Sequence, residues 1–350
     1  MATDVTSPAS SVSVTDPYGI CDDQALGHAR EALDPDAINH AFAVAKFASE
    51  DLSSKRLQEV RVTRHKPGKR CVIEYDLEAA SNAQRTTLVG KIRRKRSGRS
   101  AFELSRNFSS KGFDAAADDG ISVPEAIAYV KKLGLWLQRK VPGVEASSLL
   151  ESPAGPDLGS RIAEAAYKIH CAGVPAARVH DVDDELEILD KCLFAVIRGN
   201  PLWQRRLLRL MMCARLLAET LRGRALCGIH RDFYADQVIV DRDRLWLLDF
   251  DLYCQGDPAL DIGNFIGHVS EQSLRNTGLP CSLSEVEKAI EKRYVELAGE
   301  EARPAIRAYS LLTLMRHIYI STLHPSRRHT TADLILLCEV RAVDLLCRPT

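Results

Sequence analysis

Apolar positions along the chain change period twice. From Asp34, the residues Ile38, Ala41, Phe42, Ala45 and Phe47 recur near helical spacing, and Asp34-Pro35-Asp36 can cap the helix they predict. Between residues 57 and 92 strand-like runs take over. Segments 57–63, 71–77 and 86–92 read as strands, parted by the turn His65-Lys66-Pro67-Gly68-Lys69-Arg70 and a polar loop at 81–85. Short connections of this kind predict an antiparallel meander. Residues 99–108 read as a short helix, Val123-Pro124 opens an extended segment, and 133–140 reads as a further strand. Val141-Pro142-Gly143 then breaks the pattern as a hinge. Helical spacing dominates afterwards, at 158–170, 188–196, 202–221, 284–298 and 304–347, interrupted by two short strands near residues 230–250. The first 20 residues, rich in Ser, Thr, Ala, Pro and Asp, read as a disordered tail. The expected class is α+β: a β-rich N-lobe at 21–141 with an antiparallel sheet, and a mainly helical C-lobe at 142–350.

Composition narrows the class of function. A chain of 350 residues with 45% hydrophobic content can bury a sizeable core and fits two lobes. Lys+Arg and Asp+Glu both number 47, and this balance gives no support for a general nucleic-acid or membrane-surface role. The ten cysteines include no C-x-x-C pair. Scattered cysteines in apolar runs suggest reduced thiols and a cytoplasmic setting. The N-terminal residues carry no signal-peptide pattern, and no apolar run approaches a membrane span. The run Lys91-Ile92-Arg93-Arg94-Lys95-Arg96-Ser97-Gly98-Arg99 is the dense basic patch; it is a solvated loop, or it meets phosphates or an acidic partner.

Chemistry concentrates in His230-Arg231-Asp232-Phe233-Tyr234-Ala235-Asp236-Gln237 and Leu247-Leu248-Asp249-Phe250-Asp251. Phosphoryl transfer needs a carboxylate to accept the proton of an attacking hydroxyl, and oxygen ligands to hold magnesium against phosphates. Asp232 is the candidate base, against the alternative of a turn or helix-capping Asp. His230 orients the loop. Asp249, ending an apolar strand, and the Gln237 amide are the candidate metal ligands. Asp251 is a further ligand or a surface acid. Pro258 fits the first turn of a helix capped by Asp257, and Asp261 would face back to accept N–H groups of the 230–232 loop. The basic turn at 65–70 either covers phosphates with its backbone N–H groups or is a hairpin turn without a ligand.

These residues resemble the aminoglycoside phosphotransferase-like (phosphotransferase enzyme) family of small-molecule kinases, which has the protein-kinase-like bilobal fold. The resemblance spans about residues 57–345. It is most specific at 230–237, 247–251 and 256–261, and it extends to 165–175 and 135–143. It implies ATP and Mg²⁺ as cofactors, Asp232 as base, and Gln237 and Asp249 as metal ligands. Lys91 would meet the nucleotide phosphates with Glu103 as its ion-pair partner, and adenine would lie against the 138–142 segment, where Gln138, Lys140 and Val141 stand. Gln237 occupies a place where Asn is usual. Tyr234 where protein kinases carry Lys, Asp249-Phe250-Asp251 in place of D-F-G, and the lack of a G-x-G-x-x-G loop favour a small-molecule hydroxyl (a sugar, amino alcohol or antibiotic) as acceptor. A noncatalytic pseudokinase binding nucleotide or a protein is the alternative. Acceptor identity and oligomeric state are not readable from the chain.

Overall fold

The computed structural model describes residues 12–44, 55–79, 84–94 and 98–347. The expected helix residues Ala45 and Phe47, much of the polar loop at 81–85, and 95–97 of the basic run lie outside the described residues. The chain divides into two compact units, Met1–Pro142 and Gly143–Thr350.

Among the described residues, the first unit holds seven strands: β1 (Ser13–Thr15), β2 (Lys55–Lys66), β3 (Arg70–Ala79), β4 (Arg85–Arg93), β5 (Ile121–Ser122), β6 (Ala126–Val130) and β7 (Leu135–Arg139). Six of them form one sheet in the order β1-β2-β3-β4-β7-β6. Every pairing is antiparallel except β1 with β2. The expected meander is therefore present as β2-β3-β4. Ser13–Thr15 lie within the stretch expected to be tail, yet pair with Glu59–Arg61. Ladder hydrogen bonds along β2 order them without any apolar side chain being buried.

Alternation in β3 puts Cys71, Ile73, Tyr75 and Leu77 on one buried face. Helices α1 (Ala29–Leu33) and α2 (Pro35–Val44) supply Ala32, Leu33, Ile38 and Phe42 to the same core. The Tyr75 hydroxyl donates to the Ala32 carbonyl at 2.9 Å, and its ring meets Phe42 edge-on. A third helix, α3 (Gly98–Phe108), is amphipathic and largely exposed.

The second unit is helical: α4 (Gly155–Cys171), α5 (Val182–Gly199), α6 (Gln204–Leu221), α7 (Ala259–Thr277), α8 (Ser284–Ala298), α9 (Arg303–Leu323) and α10 (Thr331–Cys347). Its strands are short: β8 (Val144–Glu145), β9 (Cys227–Ile229), β10 (Val238–Asp241), β11 (Arg244–Leu247) and β12 (Cys254–Gly256). β10 and β11 form a hairpin, and β9 pairs with β12. A capping box between Asp181 and Asp184 starts α5, satisfying N–H groups that have no helical partner. The expected helix over 304–347 is two helices. Pro325 has no N–H to continue α9, and His324 before it is extended (φ −110°, ψ 114°).

Two glycines set the spacing of α7 against α9. A Cβ on Gly263 would stand 2.5 Å from the Tyr309 Cβ, and one on Gly267 would stand 2.7 Å from the Thr313 Cβ. Neither neighbour is a flexible side-chain end, so any larger residue must push the helices apart. Gly267→Val is expected to destabilise the fold by about 1–3 kcal/mol, the range for overpacking a tight core. Urea unfolding of the full chain measures it, and an unchanged midpoint would show that the helices can part freely.

Candidate active site

The site in the second unit is assembled around one buried carboxylate. Asp261 lies in the first turn of α7 and is fully buried. Its two oxygens accept the N–H of His230 at 2.8 Å and of Arg231 at 2.6 Å. His170 from α4 closes on it as well, Nε2 to Oδ2 at 3.0 Å, while the Nδ1 of the same ring meets the Tyr294 hydroxyl at 2.8 Å. One helical turn on, Asn264 donates its Nδ2–H to the Phe233 carbonyl at 2.8 Å. Its Oδ1 accepts from Arg316 at 2.7 Å. Helix α7 thus grips the 230–233 loop at two points, through residues three apart on one face. Asp257 accepts the Ala259 N–H at 3.0 Å at the mouth of this helix. The expected placement of Asp261 under the loop is what the structure shows.

His230 is fully buried between the rings of Phe233 and Phe250. Its Nε2 lies 2.7 Å from the Leu248 carbonyl. A carbonyl only accepts, so Nε2 carries the proton. This bond ties the loop to the segment that ends in Asp249. Arg231 (φ 70°) and Asp249 (φ 56°) both occupy the left-handed region, which costs a residue other than glycine about 1–2 kcal/mol. The Asp261 carboxylate and the His230–Leu248 bond hold both turns in place.

The hairpin brings the expected metal ligands to one end. Val238 pairs with Leu247, and the Leu248 N–H donates to the Gln237 carbonyl at 2.8 Å. Gln237 and Asp249 therefore flank the same end of β10 and β11. The Gln237 amide nitrogen donates to the Tyr234 hydroxyl at 3.2 Å, which turns its oxygen to the role of acceptor. An amide oxygen beside a carboxylate suits Mg²⁺, which is usually held by one or two protein groups together with substrate phosphates. Among the described residues, no cluster of three or more His, Cys, Asp or Glu is set to hold a metal.

Asp232 lines a cavity of about 630 Å³ formed wholly within this unit. Tyr234 and His268 stack in its wall at 4.6 Å, and His317 meets His268 edge-on at 4.4 Å. Arg275, Arg316 and Arg327 line the cavity as well, together with Asp236, Glu271 and Gln272. Sequence reasoning missed His268, Arg275, Asn264, Arg316, His317 and Arg327. The signal available for two of them was an Arg-His pair inside the apolar run 311–318.

The first unit treats its expected residues differently. Lys91 on β4 pairs in register with Trp136 on β7, and its Nζ stands 5.3 Å from that ring's centroid. Gln138 is buried on β7, paired with Val89. Glu103 is exposed on α3 and takes Arg99 at 2.8 Å, a same-face neighbour reached at little conformational cost. The Lys140 ammonium is held by Glu74 at 2.8 Å and its N–H donates to Thr87, so that ammonium is already paired; Val141 follows it, half-buried. In the 65–70 turn, the Gly68 N–H and the His65 ring both meet the Asp23 carboxylate at 2.8 Å. Those two bonds hold Asp23 below the usual carboxylate range, and the Gly68 N–H is already taken.

A family model matches residues 83–279, described as the phosphotransferase enzyme family. That is more than half of the chain. The chain belongs to the phosphotransferase enzyme family. It is a phosphotransferase with an alcohol group as acceptor. Solved structures agree on the protein-kinase-like fold. A choline kinase from Cryptosporidium parvum Iowa II is 11% identical, with 90% of this chain and 97% of that one covered and a TM-score of 0.60. A choline/ethanolamine kinase family protein from Mesorhizobium loti is 15% identical over 89% and 98%, TM-score 0.55. A thermostable mutant of aminoglycoside phosphotransferase APH(4)-Ia, in a ternary complex with ADP and hygromycin B, is 15% identical over 84% and 96%, TM-score 0.57. Among curated proteins none matches the sequence. Among the described residues of this phosphotransferase, no helix is long and apolar enough to cross a membrane.

Removing the Asp261 carboxylate leaves two backbone N–H groups and the Nε2 of His170 unpaired in the interior. Asp261→Ala is expected to cost about 3–5 kcal/mol, and Asp261→Asn, which keeps one acceptor oxygen, less. Denaturant midpoints rank the two, and wild-type stability in Asp261→Ala would remove the anchoring role.

The histidines of the cavity wall make stability depend on pH. Burial, and then the charges of Arg316, Arg327 and Arg275, push His317 from 6.5 down to about 3. The unfolded chain takes up a proton at His317 below 6.5, and the folded chain does not until about 3. The contribution is therefore complete above 6.5 and is lost as pH falls through that window, by up to about 1.4 kcal/mol per pH unit. His268, lowered first by burial and then by His317 and the same arginines, steepens the fall. Urea midpoints at neutral and mildly acidic pH should show a shallower dependence in His317→Gln. An identical dependence would place the titration elsewhere.

Proposed function

We propose that the chain transfers the γ-phosphoryl group of ATP to a hydroxyl of a small molecule held in the Asp232 cavity. One observation carries this reading: the Asp261 and Asn264 clamp fixes the loop bearing Asp232, which lines the cavity, while Gln237 and Asp249 stand at one end of the adjoining hairpin. Asp232 orients the acceptor hydroxyl and accepts its proton. The acceptor oxygen bonds to the γ-phosphorus, the bond from that phosphorus to the β,γ-bridging oxygen breaks, and ADP leaves with the electron pair. Gln237 Oε1 and the Asp249 carboxylate are the groups that would hold Mg²⁺. When bound, the ion neutralises charge on the phosphate oxygens. His230 works through position, locking the loop to the Asp249 segment.

Lys91 is the cation proposed for the nucleotide phosphates, and Gln138 to Val141 the segment proposed for adenine. Its place on an interior strand of the sheet and the family's pattern support the Lys91 assignment. Glu103, which takes Arg99 across the exposed surface of α3, is the acid proposed as the ion-pair partner of Lys91.

Asp232→Asn is expected to lower kcat by roughly 10²- to 10⁴-fold, the usual contribution of a positioned base. Asp249→Asn should raise the magnesium concentration for half-maximal turnover by at least about tenfold, the equivalent of roughly 1.4 kcal/mol. ADP release, with magnesium titrated, reads both. Full activity in both variants at wild-type magnesium would move the chemistry away from this loop and hairpin.

A further inference from the structure

The far wall of the cavity carries a charge arrangement that the transfer reaction does not need. Arg275 and Arg327 share a single carboxylate, Glu271, at 3.1 and 3.8 Å. Two guanidiniums against one carboxylate leave one positive charge uncompensated. Arg316 adds a third guanidinium, with Glu185 at 3.7 Å. The acids lining the cavity besides Glu271 are Asp232 and Asp236, both on the catalytic loop. Glu271 apart, which its two arginines outnumber, the lining acids lie on the loop, and the arginines lie on α7, α9 and the 325–330 turn.

A second observation is independent of the arginines. His317 is 2% exposed, lines the cavity, and has an Nε2 with no hydrogen-bond partner among the described residues. A buried ring nitrogen left unpaired costs about 1–3 kcal/mol, unless a ligand or water meets it. With the proton on Nε2, the neutral ring is an unpaired donor within the wall that the arginines also line.

We propose that the acceptor is an anionic hydroxyl compound, its carboxylate or phosphate held by Arg275, Arg327 and the Nε2–H of His317 while its hydroxyl faces Asp232. This rests on the phosphotransferase reading above and names the substrate class for that site. Guanidiniums recognise both anions through paired N–H donors, so carboxylate and phosphate share the chemistry. Burial first, and the charges of Arg316, Arg327 and Arg275 after it, keep His317 neutral at ordinary pH. A polycation or a quaternary amine would meet like charge here.

The test compares five probes at millimolar concentration with wild-type protein: glycerate, glycerol 3-phosphate, glycerol, choline and hygromycin B. Thermal shift reads binding, ADP release reads transfer, and a fluorescent nucleotide analogue with magnesium reads the nucleotide site separately. One or both anions should bind and outcompete the neutral and cationic probes, and which of them does so separates a carboxylate from a phosphate acceptor. Arg275→Gln and Arg327→Gln should each weaken anion binding by roughly 10- to 100-fold, the loss of one charge-assisted hydrogen bond. The charge reversal Arg327→Glu should abolish it. Preference for choline or hygromycin B, or binding of neither anion while nucleotide binds, overturns the inference and leaves the phosphotransferase reading standing. No nucleotide binding and no transfer to any probe sinks the phosphotransferase reading instead.

Discussion

The architecture of the site hangs on the Asp261 carboxylate. It is buried completely, and three donors converge on its two oxygens: His230 N–H, Arg231 N–H and His170 Nε2. An unpaired charge in that position would be prohibitive, so the donors are conditions of folding rather than additions to it. The consequence runs outward. Holding the Arg231 N–H stabilises a left-handed residue, which turns the chain so that Asp232 reaches the cavity while Phe233 goes inward. His230 then reaches across to the Leu248 carbonyl, and the second left-handed residue, Asp249, follows directly.

The clamp depends little on the identity of the side chains in the loop that it holds. Most of its bonds are to backbone groups: two N–H groups for Asp261, one carbonyl for Asn264, one for His230. Backbone acceptors and donors persist when side chains change. The wall of the cavity has no such protection. It is built from side chains of α7, α9 and the turn after Pro325, brought close because Gly263 and Gly267 let those helices approach.

The same division separates what was legible in the sequence from what was not. Strands β2, β3 and β4 announce themselves by their apolar spacing and the Pro-Gly turn, and the loop and hairpin by short motifs whose residues are contiguous. Asp261 was legible because Pro258 fixes where its helix starts, and a helix start fixes which face a residue three positions on will take. The Glu103–Arg99 pair was not anticipated because apolar spacing does not mark a charged neighbour one turn away on the same helix. The long helix over 304–347 was misread because helical periodicity continues across Pro325 even though the hydrogen bonding cannot. The wall residues were invisible because their elements lie far apart in the chain: His268 on α7, His317 on α9 and Arg327 in a turn meet only once the helices pack.

Arg316 belongs to both systems, and this limits how the wall can change. One guanidinium nitrogen holds Asn264 Oδ1 at 2.7 Å, and Asn264 in turn holds the Phe233 carbonyl beside Asp232. Replacing Arg316 to alter the charge of the wall would free the amide that steadies the loop. Arg275 and Arg327 carry no such duty; their carboxylate partner is Glu271, which has no bond to the loop. Charge at those two positions can vary without disturbing the base. Under the proposed function, acceptor choice in this chain is therefore set where the wall is free of the clamp, and the chemistry is set where it is not.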